Sequence, residues 1–185
     1  KALENIMPIL KEQYDVKVLF MCGSTKEFAK KFPGCVLPSP FILSSVLSSL
    51  EEMKKMNLLL FPVRIGIKCV GLAFSKIIGA ERVVNFSIKL SRKLGYYDCA
   101  IAYSHDNWFE NGNYFGGCNE IVRTKVRSEK KISWLHGEPM TTGLTAERLY
   151  RTYEGFNEIV TVSNACKQQF EVLSGGKIKC KCIKN

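Results

Sequence analysis

The chain has 185 residues, with 27 Lys and Arg against 17 Asp and Glu, for a formal net charge of +10. Its length and 46% hydrophobic content fit one packed core, and 24% charged with 11% aromatic residues exclude a disordered or low-complexity chain. No apolar run approaches the roughly 18 residues that a membrane span needs. The uncharged stretch from Phe32 to Leu50 comes nearest, but its three prolines and five serines make it loop and helix.

The first residue is Lys1 and a helical pattern begins at once, so the chain reads as a piece of a longer protein. Leu3, Ile6, Met7 and Leu10 have helical spacing over Ala2 to Tyr14, with Pro8 as a kink. Val16 to Met21 reads as a strand, Thr25 to Phe32 as a short helix, and Cys35 to Leu37 as a second short strand.

A mostly helical basic window follows. Between Lys54 and Lys93 lie nine basic residues (Lys54, Lys55, Arg64, Lys68, Lys76, Arg82, Lys89, Arg92, Lys93) and one acid, Glu81. They are mixed with many apolar side chains, and the window holds +8 of the +10. Arg64 and Lys68 are one helical turn apart, and Arg82, Lys89 and Lys93 share a face at spacings of seven and four. Such a segment suits an anionic lipid surface, with Lys54, Lys55, Arg64, Lys68 and Lys76 as the contacts; a core-packed helix pair with a solvated basic face is the plainer reading. Nucleic acid is not expected, since no binding signature accompanies the charge.

The second half repeats one pattern, a short apolar strand ending in polar residues. Cys99 to Tyr103 ends at Ser104-His105-Asp106, Ile132 to Leu135 at His136-Gly137-Glu138, and Glu158 to Val162 at Ser163-Asn164. A last strand runs from Ile178 to Ile183, and helices fall between, over Thr145 to Tyr153 and Ala165 to Leu173. Strands alternating with helices indicate parallel βαβ units, an α/β fold with a mostly parallel sheet flanked by helices. In open sheets of this kind ligands bind beyond the carboxyl ends of the strands.

Both histidines sit at those ends. A neutral imidazole at His136, beside the permissive Gly137, can bond a sugar hydroxyl or act as a general base; a histidine simply bonded to its own loop is the alternative. Ser163 reads first as a helix cap and second as a phosphate receiver. Trp108, Phe109, Tyr114 and Phe115 on a glycine-containing loop suit stacking on sugars or lipid contact, or an ordinary surface loop. No GxSxG elbow and no GxGxxG fingerprint is present; Cys118 near His105 stays open as a nucleophile. The eight cysteines form no CxxC pair, which points to a reducing compartment, and the CxC at Cys180 and Cys182 supplies only two of four zinc ligands.

Taken together, Lys1 to Ile6, Tyr14 to Leu19, Tyr97 to Tyr103, Ile132 to His136, Ile159 to Ser163 and the closing Ile178 to Asn185 resemble the N-terminal, acceptor-side half of family 4 glycosyltransferases of the GT-B fold. Residues 38–95 stay largely unmatched, and the order and spacing of the segments carry the likeness. The resemblance implies one Rossmann-like domain over residues 1–185, truncated at both ends, with its first strand and glycine-rich loop missing. That loss of a central strand is expected to leave a gap in the sheet. It further implies transfer of a sugar from a nucleotide-sugar donor to a glycan or lipid-linked acceptor in surface-polysaccharide synthesis. In the family this transfer commonly keeps anomeric configuration and needs no metal, so the resemblance implies neither a metal nor another cofactor. His136 is the residue expected at the donor sugar, with Ser104, His105, Asp106, Trp108, Gly137, Glu138 and Ser163 around the substrates. The enzyme is expected in the cytoplasm, peripheral on the inner face of the cell membrane, and this half alone is expected to be inactive. A non-catalytic lipid- or acceptor-binding subunit of a split transferase, a GT-B sugar-nucleotide epimerase, and a non-enzymatic lipid- or nucleic-acid-binding module are the alternatives.

Overall fold

The computed structural model describes residues 2–184. They divide into two compact units, one ending at Ala73 and the other beginning at Phe74.

In the first unit α1 (Ala2–Gln13) includes Pro8. It is followed by β1 (Val18–Leu19), α2 (Thr25–Lys31) and β2 (Val36–Leu37). The two strands pair in parallel, Val18 with Val36 and Leu19 with Leu37. Met7, Phe32 and Cys35 are buried among Leu3, Val16, Val18, Phe20 and Val36, so α1 is held by the same apolar face the sequence displays. Both strands are shorter than the apolar runs that announced them. Two helices follow, α3 (Phe41–Leu47) and α4 (Leu50–Met56). A reciprocal capping box starts α4: Ser49 Oγ accepts from the Glu52 N–H and Glu52 accepts from the Ser49 N–H.

The long helix α5 (Phe61–Ile78) begins in the first unit and ends in the second. Its polar stripe turns inward. Arg64 is buried; its guanidinium donates to Ser44 Oγ and Ser45 Oγ, both at 3.0 Å, and lies over the Phe41 ring. Lys68 Nζ donates to the carbonyls of Val46 and Ser48 at 3.1 and 2.8 Å, where α3 runs out of internal partners for its last C=O groups. The expectation that Arg64 and Lys68 present an outward basic face is therefore corrected: the serine-rich helix α3 needs donors, and these two cations supply them. Val63 and Val70, one stripe away, are 53% and 56% exposed.

The second unit carries α6 (Ala80–Lys89), β3 (Gly95–Ala102), β4 (Asn107–Trp108), β5 (Tyr114–Phe115), α7 (Cys118–Lys125), β6 (Val126–Leu135), α8 (Ala146–Tyr153), β7 (Glu158–Thr161), α9 (Asn164–Leu173) and β8 (Cys180–Cys182). Its main sheet is parallel throughout, in the order β3-β6-β7-β8. This is a Rossmann-like α/β fold with a mostly parallel sheet flanked by helices. Register aligns Ala102, Ser133, Ile159 and Cys180 across one face, and all four are buried. That face meets Leu149 and Tyr153 of α8 and Phe170 of α9 in the core. The parallel strands form two separate sheets, β1-β2 and β3-β6-β7-β8.

The segment from His105 to Cys118 is a short antiparallel hairpin, β4 with β5. No helix among the described residues is long and apolar enough to cross a membrane.

Candidate functional site

The carboxyl ends of β3 and β6 are neighbours because those strands pair directly, Ala102 beside Ser133. Three residues beyond these partners stand His105 and His136. The His136 backbone N–H donates to His105 Nδ1 at 3.3 Å, so the two strand ends are tied by one imidazole. Gly137 is required by this arrangement: a Cβ there would stand 2.5 Å from His105 Nε2 and 3.1 Å from Thr142 Cγ2.

His136 has a second feature. Its Nε2 is buried and has no hydrogen-bond partner among the described residues, while its ring makes a backbone hydrogen bond at Tyr103. A neutral imidazole that gives its Nδ1 proton to a carbonyl keeps a lone pair on Nε2. The ring is bracketed by aromatic neighbours, Tyr103 edge-on at 4.8 Å between centroids and Trp134 near-parallel at 6.2 Å. Trp134 Nε1 is likewise buried without a hydrogen-bond partner among the described residues. Reading the sequence alone missed Tyr103 and Trp134 as site residues, although period-two alternation puts Trp134 and His136 on one side of their strand.

Burial lowers the proton affinity of both histidines below the ordinary value; for His136 the neighbouring His105 adds to the effect, and for His105 a bond to Asn107 opposes it. Unfolded histidines take up protons near pH 6.5, while these remain neutral until the pH is lower, so the unfolded state binds more protons in that window. Stability is therefore expected to be full above about pH 6.5 and to fall as the pH drops through the lower, folded-state values. Urea unfolding at a series of pH values checks this, and the His105→Gln/His136→Gln double variant should lose that part of the dependence.

The remaining expected site residues have other employment. Asp106 is 4% exposed and accepts three hydrogen bonds, from Tyr114 Oη at 2.9 Å, the Gly117 N–H at 2.6 Å and Asn119 Nδ2 at 3.0 Å. Burial raises its carboxyl above the usual range, and the three donors pull against that. Trp108 is 9% exposed; its Nε1 donates to Glu81 Oε2 at 2.9 Å and the Arg148 guanidinium covers its ring. Neither face of this indole is a free stacking platform. Ser163 Oγ accepts from the Cys166 N–H at 3.1 Å, so it caps α9 as its first reading held. Glu138 is exposed, and its carbonyl accepts from Thr141 and Thr142 in the next turn. Ser104 and Tyr103 give backbone N–H groups to the buried Cys118 thiol. Burial, with the Asp106 charge, pushes that thiol to about 11, so it is protonated at neutral pH and is a poor nucleophile.

The structure thus joins His105, His136 and Gly137 into one site with Tyr103 and Trp134, and assigns Asp106, Trp108 and Ser163 to holding the loops around it. Lys54, Lys55 and Lys76 are exposed; Lys55 pairs with Glu51 at 3.0 Å. Among the described residues no group of His, Cys, Asp and Glu side chains is arranged to hold a metal ion. No family model, no curated protein and no solved structure matches the chain.

Proposed function

We propose that the chain is the acceptor-side half of a glycosyltransferase that moves a sugar from a nucleotide-sugar donor to a lipid-linked glycan acceptor. The observation that carries this reading is the histidine pair at adjacent carboxyl ends of a parallel sheet, with His136 Nε2 lacking a hydrogen-bond partner among the described residues. A parallel α/β sheet offers its ligand site at those ends. A neutral imidazole with an available lone pair suits a sugar hydroxyl or the proton of an attacking acceptor. His136 then orients the donor sugar, and His105 fixes the backbone from which His136 projects. The Tyr103 and Trp134 rings keep the imidazole in place. The order of segments that resembles the family 4 enzymes supports the same class.

The test is a transfer assay on the protein containing both halves, with a panel of nucleotide sugars and lipid-linked glycan acceptors. Transfer that is abolished when this half is deleted supports the reading. Nucleotide-sugar consumption by epimerisation, or no consumption of any donor, overturns it.

Membrane contact belongs to the same reading, but through apolar side chains rather than through Arg64 and Lys68. Leu58, Leu59, Val63 and Val70 are 72%, 90%, 53% and 56% exposed, with Lys54 and Lys55 exposed just before them. Exposed apolar groups beside basic ones fit insertion at an anionic interface, each cation adding about 1 kcal/mol. Leu59→Asp/Val63→Asp is expected to weaken sedimentation with phosphatidylglycerol vesicles by at least about tenfold. Lys54→Gln/Lys55→Gln should weaken it by less, and the loss should be matched by added salt. Equal binding of all three proteins would remove this surface from the account.

A further inference from the structure

The outer face of α6, in the second unit, departs from what a solvated helix presents. The inner face is packed into the core: Val83, Val84, Ser87 and Ile88 are all buried. An ordinary outer stripe is polar and mixed in sign. Here Phe86 and Leu90, four residues apart and so neighbours on one face, are 59% and 54% exposed. Arg82 and Lys89 are exposed at helical spacing from Phe86, and Arg92 and Lys93 are exposed in the turn that follows.

No acid offsets these four cations. Glu81, the acidic residue of α6, is occupied by other partners: its carboxylate accepts from Trp108 Nε1 at 2.9 Å and from Arg151 Nη2 at 2.7 Å. The next acid along the chain is Asp98. Among the described residues none of the four forms an ion pair with a carboxylate. Nor are they needed to close the carboxyl end of the helix, because Lys125 does that. Its Nζ donates to the Lys89 and Ser91 carbonyls at 2.7 and 2.9 Å, and its own carbonyl accepts from the Leu94 N–H at 2.9 Å. The turn carrying Arg92 and Lys93 is thereby fastened to the start of β6.

Shape and charge together choose the partner. Cations of one sign call for an anionic partner, and the exposed Phe86 and Leu90 call for one with an apolar layer beneath its charge. One aromatic ring among the cations is not the series of stacking platforms that a single nucleic-acid strand needs. Large apolar groups flanked by cations on the outside of one helix match the boundary between anionic headgroups and acyl chains. We propose that the outer face of α6 and the turn after it, residues 82–93, dock on an anionic lipid bilayer, with Phe86 and Leu90 at the acyl boundary and the cations among the headgroups. This surface shares no residue with the contact proposed through Leu59 and Val63, and it stands without the transferase reading.

Sedimentation of the chain with mixed phosphatidylglycerol–phosphatidylcholine vesicles, and with pure phosphatidylcholine vesicles, tests it. Phe86→Ser/Leu90→Ser and Arg92→Gln/Lys93→Gln should each weaken binding to the mixed vesicles by at least about tenfold. All four side chains are exposed, so both variants should keep the fold. The deficit of the charge variant should disappear in high salt, and that of the apolar variant should persist. In a chain already carrying Leu59→Asp and Val63→Asp, residual binding should remain and should fall again with either pair, which separates failure of this surface from failure of that one. The proposal is overturned if both α6 variants bind as the parent chain does, or if no binding survives Leu59→Asp/Val63→Asp. Equal binding to pure phosphatidylcholine overturns it too, as does tighter binding to a DNA duplex or to polyglutamate than to the mixed vesicles.

Discussion

Replacing Asp106 by alanine is expected to cost about 3–5 kcal/mol of stability. The carboxylate is 4% exposed and is the common acceptor for the Tyr114 hydroxyl, the Gly117 N–H and the Asn119 amide. Asn119 is itself tied to β6, because Ser133 Oγ donates to Asn119 Oδ1 at 2.6 Å. One side chain therefore fastens the hairpin, the start of α7 and the central strand. Removing it strands three buried donors, each worth about 1–3 kcal/mol when unsatisfied. Asp106→Asn should lose much less: one oxygen still accepts from Tyr114 and Gly117, which share Oδ1. Its new NH₂ meets the Asn119 NH₂, whose rotation Ser133 resists. Urea unfolding of the three proteins measures the order. A loss under about 1 kcal/mol for Asp106→Ala would show that the network is not what holds this loop.

Replacing His136 by alanine in the proposed transferase, with both halves present, is expected to lower turnover by about 100-fold or more, beyond the modest loss of stability that follows from deleting the ring's contacts with Tyr103 and Trp134. The asymmetry follows from what the ring touches. Its Nε2 has no hydrogen-bond partner among the described residues, so truncation removes the proposed reacting or binding contact, together with the ring's bond at Tyr103 and its packing against Tyr103 and Trp134. The tie to His105 is made by the His136 backbone and survives the substitution. His136→Gln keeps a polar group but not the basic nitrogen, and should recover donor binding more than turnover. If the role were structural, His136→Ala would shift stability and turnover together, and His136→Gln would restore both. His105→Ala should reduce turnover less, since it acts by positioning the strand end.

The parallel sheet was legible because β3, β6 and β7 each carry a short apolar stretch followed by Ser, His or Asn, and helices separate them. Their lengths were not. The run Arg127-Ser128-Glu129-Lys130-Lys131 looks like a loop, yet it extends β6 back to Val126. It is extended because β3 pairs with it along its length, from Gly95 with Val126 to Ala102 with Ser133, and because one sheet face is pinned by charge. Glu158 lies between Lys130 and Lys181 at 2.9 and 2.8 Å, and its hydrogen bonds to Lys181 and Lys130 lower its carboxyl below the ordinary value. Cross-strand ion pairs do not show in a one-dimensional pattern. The orientation of α5 was hidden for a related reason. A basic stripe beside an apolar stripe reads as charge outward, and only the serines of α3 show that the donors are needed inside. Asp106 and Trp108 stood at strand ends as expected, but their partners, Asn119 and Glu81, come from α7 and α6. No local signal joins those helices to the loop. His105 and His136 were legible as strand-end residues, and the bond between them needed only the direct pairing of β3 with β6.

The claim on which the functional account rests is that His136 Nε2 meets the donor sugar. It is tested most directly by following the imidazole nitrogens of ¹⁵N-histidine-labelled enzyme during titration with nucleotide sugars and with the matching nucleotides alone. The expected result is a shift at His136 Nε2 with a nucleotide sugar and a much smaller one with the bare nucleotide, while His105 Nδ1 moves little in either case. A His136 Nε2 signal that stays in place while a nucleotide sugar is bound elsewhere in the same enzyme would contradict the account.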